Sequence, residues 1–319
     1  MMSPTLKQMR YFEALARHGH FGRAAEVSNI SQPALSMQIR EMEAHLGIAL
    51  FERGPKAVRL TAFGETVRER VREILRATDD IADLARLARG GLTGRLRLGV
   101  IPTIAPYLLP RIVSAIDPEG SGLELDIRET TTSHLLRELS EGRLDTAIVA
   151  LPISEPGIEE AALFAEPFVL VRPEVEGGDR MPAREELREM RLLLLEEGHC
   201  FRDQALSFCD MGPRTYGLDA TSLGTLVQMV GAGMGVTLVP QMAVAVETRA
   251  APVAIGRFDP PEPERTIGLI WRRSTPLSDE LRALALRLRD VIADDGPSPR
   301  ENGLVREGET LSDRKPRAI

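Results

Sequence analysis

Apolar residues near the start of the chain recur at helical spacing, with sharp polar punctuation between them. Leu6, Met9, Phe12, Leu15 and Ala16 fall three or four apart and predict a first helix over 6–16. A small, alanine-rich helix follows over 22–27, then the break Ser28-Asn29-Ile30. Ser31 reads as the N-cap of a third helix, with Pro33 in its first turn, Leu35, Ile39, Met42 and Leu46 as its buried stripe, and Gly47 as its stop. A short helix, a tight turn and a longer helix make a helix-turn-helix, whose second helix enters the DNA major groove. Its candidate DNA contacts are Gln32, Pro33, Ser36, Gln38 and Arg40: Gln can grip adenine, and Arg can hold a phosphate or a guanine edge.

Beyond Gly47, the text LFERGPKAVRL places Arg53, Lys56 and Arg59 around a Gly-Pro turn. It reads as a basic two-stranded wing or as an ordinary solvated hairpin. From Thr61 to about Arg89 one charged helix carries Val67, Val71, Ile74, Thr78, Ile81, Ala85 and Ala88 at alternating steps of four and three. Such a narrow seam suits pairing with a second copy, so a dimer is expected. Glycines 90 to 94 mark a hinge. After it, short strands alternate with helices: strands at 95–101, 123–129 and 144–151, helices at 107–116 and 133–141. A second unit is expected to begin near 164–171 and to include a strand at 192–196, a helix over 221–233 and a strand over 235–240. The apolar text TIGLIWRR returns to the first unit before a terminal helix over 278–293. Two α/β lobes joined by crossing connections leave a cleft between them, where small ligands bind. The Pro-, Gly- and charge-rich stretch 294–319 has almost no periodic apolar residues and is expected to be disordered.

Composition sharpens this division. Residues 1–90 hold 14 Lys and Arg against 11 Asp and Glu, whereas the remainder holds 26 against 36, for a total of −7. A slightly basic front end on an acidic chain fits nucleic-acid binding confined to the front. No apolar run approaches membrane-spanning length and no export signal is evident, so the expected compartment is the cytoplasm, with no membrane partner.

Both cysteines, Cys200 and Cys209, lie in LLLLEEGHCFRDQALSFC. In a reducing compartment the pair reads as reactive, metal-bound or merely buried. A zinc site lacks a fourth ligand, the five histidines are scattered, and no metal or cofactor is expected. Gly231, Gly233 and Gly235 suggest a dinucleotide fingerprint, but they follow a helix and precede a strand, the reverse of the order that cradles a pyrophosphate. His199 and Arg202 would favour a Cys200 thiolate if they fold against it. If 200–209 is helical, the two cysteine Cα atoms stand about 13 Å apart. A disulfide tolerates about 7 Å, so forming one would move this segment.

The texts FGRAAEVSNISQPALSMQIREMEAHLGIALFER and LTAFGE closely resemble the DNA-binding domain of LysR-type transcriptional regulators, and GRLDTAIV and MVGAGMGVTLVP resemble that family's effector domain. The resemblance covers roughly residues 4–293. It implies an N-terminal all-α winged helix-turn-helix over 1–60, with Arg53 of the wing as a further DNA contact, a dimerising linker helix over 61–90, and an α/β two-lobed regulatory domain like periplasmic binding proteins over 91–293. A tail over 294–319 is left without a role. GHCFRDQALSFC and IPTIAPYLLP are similar to the family's hydrogen-peroxide-sensing members. Carried over, this makes Cys200 the peroxide-reacting thiol and Cys209 its disulfide partner. Thr103, Thr132, His199, Arg202 and Asp203 then shape or support a peroxide pocket, although Thr131-Thr132-Ser133 departs from the more usual Gln-Thr-His. The implied partners are double-stranded promoter DNA, hydrogen peroxide, further copies in a homodimer and homotetramer, a glutaredoxin-type thiol reductant and RNA polymerase. The implied function is regulation rather than enzymatic turnover, as in a thiol peroxidase. The alternative is a LysR-type regulator with a small organic effector in the interlobe cleft.

Overall fold

The computed structural model describes residues 3–54, 58–88, 92–116, 123–174, 182, 186–209 and 219–294. Its first three helices are α1 (Leu6–His18), α2 (Phe21–Val27) and α3 (Gln32–Leu46). Each start is fixed locally. Thr5 and Gln8 exchange a capping box at α1, His20 Nδ1 accepts from the Gly22 N–H at α2, and Ser31 Oγ accepts from the Ala34 N–H at α3. Gly47 ends α3 at φ 70°, a conformation that favours a residue without Cβ. The predicted stripe of α3 is confirmed at Leu35, Ile39 and Met42, which join Phe12, Leu15 and Leu50 in one core. Strands β1 (Phe51–Arg53) and β2 (Val58–Leu60) pair antiparallel to form the wing, whose turn at 55–57, with Lys56, lies outside the described residues.

Helix α4 (Ala62–Leu87) is continuous over 26 residues, capped by Thr61 Oγ1 on the Gly64 N–H. Its seam divides. Val71 is buried in the head core and Val67 packs against that core, whereas Ile74, Ile81 and Leu84 are exposed by 41%, 68% and 56%. Ala77, Ala85 and Ala88 are exposed as well, so the outward apolar face includes 74, 77, 81, 84, 85 and 88, with Thr78 half-buried beside it. The first two positions could not serve both a partner helix and the head.

The remainder is two lobes. Lobe I holds β3 (Arg95–Val100), α5 (Ala105–Ile116), β4 (Glu124–Glu129), α6 (Thr132–Ser140) and β5 (Thr146–Leu151), and the chain returns to it through β11 (Glu264–Arg272) and α10 (Ser278–Asp294). Strands β4, β3 and β5 pair in parallel, while β11 enters antiparallel beside β5. The expected second-unit strand at 164–171 is the latter half of a 16-residue strand, β6 (Ile158–Pro173). Its first half pairs with β11 in lobe I, and its second half pairs with β9 (Thr237–Pro240) and β10 (Val253–Gly256) in lobe II. The sheet is therefore more antiparallel than the alternation of elements suggests, because both crossing segments re-enter from the opposite end. Lobe II also contains β7 (Leu194–Leu195), α7 (Cys200–Phe208), β8 (Asp219–Ala220), α8 (Leu223–Gly231) and α9 (Gln241–Glu247). The glycines 231–235 form the turn from α8 to β9, helix before strand.

Each lobe has its own core, one around Leu98, Ile148 and Trp271, the other around Leu170, Leu226 and Val239. Arg72 of α4 joins head and lobe I: its Nη2 lies 2.9 Å from Glu13 Oε1 and 2.5 Å from Glu141 Oε1. The tail beyond 294 lies outside the described residues.

Candidate functional site

Helix α7 carries both cysteines, Cys200 as its first residue and Cys209 as its C-cap. Gly198 stands at φ 98° in the turn before it, a backbone that L side chains rarely adopt. The buried face of α7 is Phe201, Ala205 and Leu206, and the Phe201 ring meets Phe168 of β6 edge-on at 5.0 Å. Its two ends are held by different bodies. Half-buried Cys200 packs against the core of lobe I, whereas Cys209 is wholly buried in the core of lobe II. Both cysteines are thiols. The segment is thus helical, and the helix rise keeps their Cα atoms about 13 Å apart.

The other proposed pocket residues fall into three groups. Thr103 and His199, both buried, line one cavity of about 210 Å³ between the lobes. Thr132 opens α6, and its Oγ1 is sheltered from solvent with no hydrogen-bond partner among the described residues. Gln204 Oε1, one turn after Cys200, is in the same condition. Cys200, Thr132, Arg202 and Asp203 are not among the residues that line this cavity. The Arg202 guanidinium turns to the Leu195 carbonyl at 2.7 Å and Asp219 Oδ1 at 2.8 Å, tying α7 to β7 and β8. Asp203 is exposed on the first turn.

The structure adds residues with no sequence signal. Arg265 of β11, fully buried, donates from Nη1 to Thr103 Oγ1 at 2.8 Å and from Nη2 to the Thr103 carbonyl at 3.1 Å. Its Nε meets Glu166 Oε2 at 2.8 Å, and its guanidinium lies 5.5 Å from the centre of the Phe201 ring. Burial pushes the Glu166 carboxyl above its ordinary range, against the pull of Arg265. Because Thr103 Oγ1 accepts from Arg265, its own proton is left to donate elsewhere. Across the cleft, the Tyr107 hydroxyl of α5 donates to Glu247 Oε1 of α9 at 2.6 Å. Burial and the Glu247 carboxylate raise the Tyr107 phenol well above its usual value, so it remains a donor.

On the head, Gln32, Pro33 and Arg40 are exposed on α3, and Ser36 and Gln38 are half-buried beside them. Gln38 Nε2 donates to Glu41 Oε2 at 3.1 Å. Met37, exposed by 61%, shares the Pro33–Ser36–Arg40 face and was not anticipated. Arg59 is exposed on β2, and the side chain of Arg53 lies outside the described residues.

Comparisons with known proteins bear on both regions. The lysR-family model of bacterial regulatory helix-turn-helix proteins matches residues 6–65, and the LysR substrate binding domain model matches 89–293. The chain is 42% identical over 297 residues to a Streptomyces viridosporus protein described as "Probable hydrogen peroxide-inducible genes activator", covering 91% of this chain and 95% of that one. It is 39% identical over 292 residues to the DNA-binding transcriptional dual regulator OxyR of Escherichia coli, covering 89% and 94%. Among solved structures, a full-length Pseudomonas aeruginosa OxyR with a cysteine-to-aspartate substitution matches with TM-score 0.72 at 36% identity, covering 91% and 96%. A peroxide-bound cysteine-to-serine mutant of Corynebacterium glutamicum OxyR matches with TM-score 0.62 at 37% identity, covering 92% and 94%.

Proposed function

The chain belongs to the LysR family of bacterial transcription regulators, which are not enzymes, and on that premise we propose that it senses hydrogen peroxide through Cys200 and Cys209 and regulates promoters accordingly. The observation that carries the reading is that one short helix bears both cysteines and spans two cores, with Cys200 against lobe I and Cys209 inside lobe II. The Cys200 thiolate attacks one peroxide oxygen, the O–O bond breaks, and Cys200 becomes a sulfenic acid as hydroxide departs. The Thr103 hydroxyl, oriented by Arg265, donates to the departing oxygen. Thr132 Oγ1 and Gln204 Oε1 supply further polar atoms for a small ligand, and His199 borders the approach. Arg202 supports the site by holding α7 in place, and Asp203 acts from the solvent side. The Cys209 thiol then displaces water from the sulfenic acid to form a disulfide, and a glutaredoxin-type dithiol in the cytoplasm restores both thiols.

The disulfide requires α7 to unwind or shift, because about 13 Å in the helix must shrink below about 7 Å. That movement pulls on both cores at once, altering how the lobes, and through α4 the heads, are arranged in a dimer and dimer of dimers on DNA. Among the described residues the cavity wall has two carboxylates, Glu129 and Glu247, and no Lys or Arg, so it suits a small neutral molecule better than an organic anion. Treatment of the reduced protein with one equivalent of peroxide, followed by disulfide mapping and footprinting of both states, tests the reading. A Cys200–Cys209 bond with an altered footprint is expected. Intact thiols with an unchanged footprint would overturn it.

A further inference from the structure

Away from the cysteines, a concavity of about 700 Å³ opens between the DNA-binding head and lobe I. Its walls carry five arginines: Arg17 at the end of α1, Arg68 on α4, Arg128 on β4, Arg137 on α6 and Arg143 in the following turn. Its three acidic residues, Asp126, Glu138 and Glu141, are already engaged. Glu138 meets Arg128 at 2.7 Å and Arg143 at 3.5 Å, Glu141 meets Arg143 and Arg72, and Asp126 meets Arg95 at 2.5 Å. Arg68 is satisfied by Glu13 at 3.3 Å. The guanidinium groups of Arg17 and Arg137 have no hydrogen bond or ion pair among the described residues.

The surplus is felt by its neighbours. Burial, then the charges of Arg17, Arg23 and Arg143, holds the His18 imidazole below its usual value, and burial followed by Arg17 lowers the Arg143 guanidinium. Uncompensated guanidinium forks in a concave site match phosphate oxygens in both charge and shape. The two unpaired arginines come from different bodies, α1 of the head and α6 of lobe I. A monovalent anion would satisfy one, whereas adjacent phosphates would reach both. We infer that this concavity binds a multivalent phosphate compound, bridging Arg17 and Arg137, with Arg143 in the same wall. Bound there, the anion ties the head to lobe I, giving DNA binding a second input independent of the thiols.

Calorimetric titration of reduced full-length protein with pyrophosphate, ATP and sulfate at fixed ionic strength tests this. Saturable binding of pyrophosphate or ATP is expected with a dissociation constant below about 1 mM. Tighter pyrophosphate binding marks an inorganic ligand, and tighter ATP binding a nucleotide. Arg17→Glu and Arg137→Glu, both at exposed positions, should each weaken binding at least about 10-fold. Arg17→Gln and Arg137→Gln serve as milder variants, and Cys200→Ser should bind like the unaltered protein. Absence of saturable binding overturns the inference, as does a sulfate response equal to that of pyrophosphate or binding that survives both substitutions. So does loss of DNA affinity in Arg17→Glu with pyrophosphate binding intact, which would make Arg17 a contact to the DNA backbone.

Discussion

Under the proposed mechanism, Thr103 is a donor to peroxide drawn from a part of the chain far from the cysteines in sequence. Its hydroxyl accepts from a buried guanidinium, which leaves its own proton to be donated. Thr103→Val keeps the shape but removes that donor, leaving an Arg265 N–H unsatisfied at a cost of about 1–3 kcal/mol. Losing one preorganised donor to a developing oxyanion slows such reactions about 100-fold, so stopped-flow oxidation of Cys200 should slow by roughly that factor and recover in Thr103→Ser. An unchanged rate would remove Thr103 from the mechanism. Cys209→Ser should halt oxidation at the sulfenic acid, seen as dimedone labelling at Cys200; labelling no greater than in the unaltered protein would dismiss Cys209 as partner. The meeting of His199 and Thr103 in one cavity was legible because short texts carry both. Arg265 and Glu166 were not, since an isolated Arg or Glu in a strand reads as a solvated charge. Only the pairing of β11 beside β6 brings them together in the interior.

At the scale of elements, periodicity identified helices and strands well where one face is buried, as in α3 and α5. It misjudged β6, whose 16 residues belong to two cores, because alternation along a strand records burial but not which body provides it. It also read α4 as one seam, although its first turns serve the head. Helix α7 has the opposite character: its helical state was conditional in the sequence and is formed in the structure, so a disulfide is incompatible with the fold that reduction leaves. Hydrogen exchange follows directly. The amide of Cys209, bonded to the Ala205 carbonyl at 3.1 Å, should lose its protection on oxidation, together with the last turn of α7. Retained protection in a protein shown to carry the disulfide would exclude unwinding of that turn. The Tyr107–Glu247 bond joins the lobes on the other side of the cleft. Tyr107→Phe leaves the ring packed and deletes a charge-assisted bond, so a loss of about 1.5–3 kcal/mol is expected in denaturant unfolding. A loss near zero would mean that this bond does not hold the lobes together.

For the whole molecule, the proposed function asks how a nine-residue helix could influence the DNA-binding head. Helix α4 is the connection: its start is built into the head core, Arg72 and Asp80 bond it to lobe I, and Asp80 does so through Arg272 at 3.3 Å. Its outer face at Ile74, Ala77, Ile81, Leu84, Ala85 and Ala88 is left exposed among the described residues, and Ile81 is its most exposed large apolar residue. A second copy of α4 would cover that face by heptad packing, which places two α3 helices at a fixed separation for two half-sites. Ile81→Glu tests this without touching the cysteines or α3. A carboxylate in a desolvated seam costs about 2–3 kcal/mol, or roughly 100-fold in the dissociation constant of a dimer. Sedimentation should show monomers at concentrations where the unaltered protein is paired. Binding to a two-half-site promoter should weaken in parallel, while peroxide still oxidises Cys200 at its normal rate. If Ile81→Glu stays paired, the exposed line on α4 is not the dimer interface, and the route from α7 to DNA must pass through contacts between lobes.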